Sequence, residues 1–340
     1  MWLSNSSVGR KFVMALTGAF LVIFVTFHCL MNSIAIVWPA AYNSVCEFLG
    51  ANWYALLASA VLAVFILIHI IYAVMLTLQN RKARGNDRYA ITRKPKTVEW
   101  SSQNMLVLGI VILAFLVVHM IQFWAKMQLA EIAGTEGIIP PAAGTLFLQE
   151  AFSLVWTPIV YIIGFIALWF HMNHGFWSMF QSIGWDNNVW IARFKTIACW
   201  WSTIVVLLFI AQAIVFSVRA HEEYYKTDPA LREQYKEMLV PMIEKDFGPD
   251  AAQIAQSFEM MPYEQLSPLV KNQADQLEQQ LNNPEAMAYF NSTPQGKEQL
   301  ENMRRLGEGF AKMSNFFKYL EANDPQPEVP GMPGMQPANR

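Results

Sequence analysis

Residues 53–79 read WYALLASAVLAVFILIHIIYAVMLTLQ, an apolar run without a single Asp, Glu, Lys or Arg. About 20 helical residues suffice to cross a hydrocarbon core of about 30 Å, so this run is long enough to span a membrane. Working outward, four more runs of the same kind lie at approximately 12–38, 103–127, 150–180 and 196–218. One such run could be a buried helix of a soluble protein; five of this length predict a membrane bundle. The first follows Arg10 and Lys11 as a signal peptide would, but its apolar stretch is too long for a cleaved h-region, so it reads as retained. The expected fold class is an all-α membrane protein: a five-transmembrane-helix bundle with a helical, partly disordered C-terminal extension.

The rest of the chain differs in composition. Residues 1–219 hold 13 Lys and Arg against 7 Asp and Glu, whereas 220–340 hold 11 against 19. Charges of +6 and −8 therefore cancel to the overall −2, which says nothing about partners. We expect a membrane anchor over 1–219, a polar acidic helical extension over 220–323, and a Pro-rich disordered tail over 324–340. Helical spacing in the extension falls at 229–247, 263–282 and 296–322, punctuated by Pro and Gly.

Basic residues set the orientation. Arg10, Lys11, Arg81, Lys82, Arg84, Arg88, Arg93, Lys94, Lys96, Arg193 and Lys195 fall on one side of the spans. Only Lys126 and Arg219 sit close to the other ends. The positive-inside rule puts the N-terminus and the 81–96 loop on the cytoplasmic side. Five crossings then leave the C-terminal tail outside. Trp2, Trp38, Trp53, Trp124, Trp185 and Trp190 fall near the expected interfaces as anchors. The basic loop is explained by topology, so nucleic-acid binding has no support. There is no Cys-x-x-Cys-His run for covalent haem attachment, and Cys29, Cys46 and Cys199 read as small core residues.

Four histidines stand out against this background, one in each of the first four spans: His28, His69, His119 and His171. A charged group at the centre of a membrane helix costs about 2.5 kcal/mol or more, so a titratable residue there usually has a task. At a rise of about 1.5 Å per residue, His28 and His119 both lie about 24 Å above the cytoplasmic ends of their helices. His69 and His171 both lie about 15 Å above theirs. Two levels of two histidines suit two stacked haems, each clamped by imidazoles from two helices. Depth pairs His28 with His119 and His69 with His171. A membrane histidine also serves as a packing residue or proton relay, but matched levels favour ligation. His174 shares a helix face with His171, and spacing alone allows either to ligate. Gly18, Gly109, Gly164 and Gly175 permit close approach, of a helix or of a flat cofactor equally.

These residues resemble the type B, di-haem cytochrome b membrane subunit of succinate dehydrogenase and quinol:fumarate reductase. The resemblance covers about residues 4–219. It rests on Ser6-Ser7-Val8-Gly9-Arg10-Lys11, on Thr17-Gly18 ten residues before His28, on the one-histidine-per-helix pattern, and on His171-Met-Asn-His174-Gly175-Phe-Trp-Ser178. It implies that His28 and His119 hold the outer haem b iron and His69 and His171 the inner one. The family's ligand stands four residues before the glycine, which selects His171 over His174. It also implies a flavoprotein subunit and an iron–sulfur subunit on the cytoplasmic face, with electrons passing between them and menaquinone. Succinate and fumarate chemistry would belong to the partner, leaving this chain as a non-catalytic electron-transfer subunit that carries the quinone site. Glu47 is the nearest candidate for an acidic quinone-site residue. Where some relatives carry a proton-moving glutamate, this chain has Trp169. The tail is an addition, because most relatives end soon after the fifth helix.

Two other readings follow from the same residues. One is the cytochrome b subunit of a formate dehydrogenase or hydrogenase. The other, of a different class, is a transporter or proton channel with relay histidines. That second reading calls for intramembrane carboxylates, and Glu150 stands only at a helix start.

Overall fold

The computed structural model describes residues 6–50, 52–84, 99–135 and 137–322. Among these every regular element is helical and no strand occurs. The chain divides into two compact units that meet in sequence at Tyr225–Lys226. Much of the basic loop, Trp2 and the Pro-rich tail fall outside the described residues.

Unit one holds five helices long and apolar enough to cross a membrane: α1 (Ser7–Val37), α3 (Trp53–Arg84), α4 (Trp100–Ala133), α6 (Trp156–Ser182) and α7 (Asn188–His221). Two short helices lie between them, α2 (Pro39–Gly50) and α5 (Gly144–Phe152). Cap chemistry starts two of the long helices. Ser6 Oγ accepts the Gly9 N–H at 2.9 Å, and Asn187 Oδ1 accepts those of Val189 and Trp190 at 3.2 and 3.0 Å. At the far end of α1 the terminal carbonyls have no helical partner. The Arg219 guanidinium, from α7, donates to Ala35 O at 2.9 Å and Ile36 O at 2.8 Å. Three hydroxyls along the spans are satisfied within their own helices: Thr26, Ser59 and Thr77 each bond the carbonyl four residues back.

In the bundle, α1 packs against α3, α6 and α7, and α6 also packs against α4 and α7. Polar contacts fix the α1–α7 register, with Gln212 Nε2 donating to Cys29 O at 2.8 Å and Ser33 Oγ at 2.9 Å. Apolar side chains such as Ile23, Leu67, Ile110, Ile163 and Leu207 point outward and are exposed, which is compatible with a multi-pass membrane protein.

The fourth span begins later than the pattern suggests, at Trp156 and not at 150. The apolar run is broken at Ser153–Val155 because Pro158 has no N–H to give a continuous helix. In the first turn of α6, where that N–H is unpaired in any case, the proline is tolerated. The preceding residues form α5, which is almost wholly buried. Its N-terminus is capped from another helix: Asn43 Oδ1 on α2 accepts the Thr145 N–H and O–H at 2.9 and 2.8 Å. Gly144 allows that approach, since a Cβ there would fall 2.4 Å from Cys46 Sγ.

Unit two is a set of amphipathic helices: α8 (Pro229–Glu237), α9 (Val240–Asp246), α10 (Ala251–Met260), α11 (Tyr263–Leu281), α12 (Pro284–Asn291) and α13 (Pro294–Glu321). Three share a start signal, a capping side chain followed by Pro: Asp228-Pro229, Asn283-Pro284 and Thr293-Pro294. The helical spacing over 229–247, with Pro241 as punctuation, forms two helices divided at Met238–Leu239. Tyr235, Leu239, Ile243, Phe247, Met313 and Phe317 are fully buried in its core.

Candidate functional site

Two pairs of imidazoles face each other inside the bundle. His28 of α1 and His119 of α4 lie with ring centroids 5.7 Å apart and planes at 84°. His69 of α3 and His171 of α6 lie 6.2 Å apart at 66°. The structure thus brings together the residues that helix depth pairs. A metal about 2.0–2.1 Å from one nitrogen of each ring would separate two ring centres by about 6 Å. All four rings are half-buried.

The His28–His119 pair is walled by aromatic rings. Phe24 stacks on His28 at 5.5 Å, Phe209 lies 6.2 Å from it, and Phe115 and Phe123 flank His119 at 5.9 and 5.3 Å. Immediately after His119, α4 changes to a π-helix over Met120–Leu129. Such turns are rare and gather at functional positions. Gln122 lies on this segment and meets α6, where a polar chain forms. Tyr161 Oη lies 3.2 Å from His119 Nδ1 and donates to Gln122 Oε1 at 2.9 Å. Gln122 Nε2 in turn donates to Thr157 Oγ1 at 3.1 Å.

At the His69–His171 pair, Thr17 Oγ1 lies 3.1 Å from His69 Nδ1. His171 Nδ1 is buried without a hydrogen-bond partner. A Cβ on Gly18 would sit 3.7 Å from His69 Cε1, and one on Gly109 3.9 Å from His171 Cε1. Both are ordinary contact distances, so packing of the rings alone does not demand glycine; a flat group lying on the backbone would. Gly164 is different, because a Cβ there would fall 2.6 Å from Phe115 Cγ. Its role is helix packing.

His174 belongs to another cluster. Its Nδ1 lies 3.3 Å from Glu99 Oε2, and Lys195 Nζ lies 2.8 Å from Glu99 Oε1. Desolvation pushes the Glu99 carboxyl up, but hydrogen bonds and charge from Lys195 and His174 outweigh it and hold the group below its ordinary value. Trp169 donates its indole N–H to Thr203 Oγ1 of α7 at 3.0 Å. Glu47 is exposed on α2 and makes no hydrogen bond or ion pair to either histidine pair. Lys126 and Glu150 form an ion pair at 2.6 Å.

The donor set fits haem. Among the described residues no three His, Cys, Asp or Glu side chains converge as an all-protein metal site would need. Two opposed imidazoles per level suit an iron whose other ligands come with a macrocycle. Tyr161, Gln122 and Thr157 escaped the sequence reading. The available signal was a polar residue, Gln122, three places beyond a histidine in an apolar span.

No family model, no curated protein and no solved structure matches this chain.

Proposed function

We propose that this chain is the di-haem cytochrome b membrane anchor of a succinate dehydrogenase or fumarate reductase complex. The observation that carries the reading is the pair of cross-helix histidine contacts at two levels, each at the separation an iron between two imidazoles requires. His28 and His119 would hold the outer haem b, and His69 and His171 the inner. Bound haem supplies reversible one-electron chemistry. The protein's part is to bind and orient. Tyr161 and Thr17 hold two of the four rings, Gly18 and Gly109 keep the backbone low beside the inner pair, and Phe24, Phe115, Phe123 and Phe209 keep water from the outer pair.

In this reading the five long helices lie in the bacterial inner membrane with the N-terminus cytoplasmic and the C-terminal tail periplasmic. The flavoprotein and iron–sulfur subunits dock on the basic cytoplasmic side and exchange electrons with the inner level. Menaquinone reacts near the outer level. Glu47 is a weak candidate there, since it stands exposed and apart from the histidine contacts. The proton-relay alternative loses further ground, because Trp169 turns to Thr203 and the histidines face each other.

The test is purification of the native complex. Low-spin b-type absorption together with a flavin-containing, succinate-oxidising partner is expected. Co-purification with a formate-oxidising or hydrogen-oxidising partner would transfer the chain to that other assembly, and a chain free of haem would end the proposal.

A further inference from the structure

We infer that Tyr161 and Thr17 are positioning residues that fix the tautomers of His119 and His69, leaving Nε2 of each ring as the metal-binding nitrogen. The inference rests on the haem reading above and deepens it.

A neutral imidazole has one N–H donor and one bare acceptor, and which nitrogen is which depends on the neighbours. A hydroxyl has a single proton. That of Tyr161 goes to Gln122 Oε1 at 2.9 Å, while Gln122 Nε2 donates to Thr157 Oγ1 at 3.1 Å. With its proton placed there, Tyr161 Oη accepts from His119 Nδ1, 3.2 Å away. His119 then carries its hydrogen on Nδ1 and its lone pair on Nε2. The inner level repeats the logic with different chemistry. Thr17 gives its proton to the carbonyls of its own helix, Val13 O at 2.9 Å and Met14 O at 3.1 Å. With its proton there, it accepts from His69 Nδ1 at 3.1 Å.

An acceptor behind a ligating imidazole raises the basicity of the ring and orients it toward the metal. Removing it weakens donation to iron, which favours the reduced state and moves the reduction potential upward. Each hydroxyl should therefore tune its own haem and leave the other alone. A packing role predicts no such selectivity, because Phe and Val keep the shapes of Tyr and Thr.

The experiment is a redox titration of the full-length, haem-loaded protein with both midpoint potentials resolved, alongside the low-spin paramagnetic resonance signals. Tyr161→Phe is expected to raise one potential and shift that haem's signal. Thr17→Val should do the same to the other haem, and Thr17→Ser should restore the wild-type value. Loss of one haem, with retention weakened about 10-fold or more, is the stronger form of the same result. Unchanged potentials in both variants, or both variants acting on the same haem, would overturn the inference while leaving the haem reading intact. Should Tyr161→Phe fail to fold, the comparison of Thr17→Val with Thr17→Ser decides. A wild-type protein without haem would remove the functional reading itself.

Discussion

Gly164 of α6 lies against the ring of Phe115 of α4 so closely that a Cβ would meet Phe115 Cγ at 2.6 Å. Phe115 also stacks on His119 and packs edge-on against Tyr161 at 4.9 Å. This one missing side chain therefore lets the two helices close beside the His28–His119 pair. Gly164→Ala is expected to cost about 1–3 kcal/mol through overpacking. Thermal release of haem, followed by absorption, should show the outer haem leaving at lower temperature and the inner one unchanged.

His171 and His174 are three residues apart but do different things. The first faces His69, and the second is held by Glu99 beside Lys195. His174→Ala should retain both haems, whereas His171→Ala should lose one. Haem content per chain checks both, and the reverse pattern would refute the assignment.

The long helices and the pairing of the histidines were legible because they depend on simple quantities. Hydropathy over 53–79 needs no tertiary knowledge, and a fixed rise per residue converts position into depth. The break at Ser153–Val155 was less visible, since Pro158 in an apolar run reads equally as a kink or as a first-turn residue. The hydroxyl contacts to the two ring nitrogens were hidden for a deeper reason. Tyr161 meets His119 across 42 positions and Thr17 meets His69 across 52, so only helix packing creates the hydrogen bond. The π-helical segment that carries Gln122 has no sequence signature of its own.

Cys46 is closed in between Tyr42 and Gly144, and burial pushes its thiol up to about 12, despite a lowering hydrogen bond with Tyr42. The thiolate is the reactive species, and a free cysteine titrates at about 8.5. At pH 8 Cys46 should alkylate at least about a hundredfold more slowly in the native protein than in denaturant. Mass spectrometry after timed labelling gives the ratio, and equal rates would show that α2 and α5 do not pack as described.

In unit two, Glu321 accepts from Ser267 at 2.5 Å, from Tyr263 at 3.2 Å and from the Lys271 ammonium. Desolvation raises this carboxyl, but the hydrogen bonds and the Lys271 charge win and hold it below the ordinary 4.5. A depressed folded-state value contributes stability above the unfolded value and loses it as pH falls through the folded one. Glu321→Gln is expected to lose about 1–2 kcal/mol at pH 7, allowing for partial solvent screening. Hydrogen exchange in α11 and α13 should show that difference at pH 7 and show it vanish on acidification below 4.5. A difference independent of pH would mean that charge plays no part.

Haem stoichiometry in paired alanine variants tests the two-level arrangement most directly. The wild-type chain should carry two haem b. His28→Ala with His119→Ala empties a single level and should leave one, as should His69→Ala with His171→Ala. His28→Ala with His69→Ala strikes both levels and should leave none. Equal haem loss in all three double variants, or a wild-type chain without haem, would contradict it.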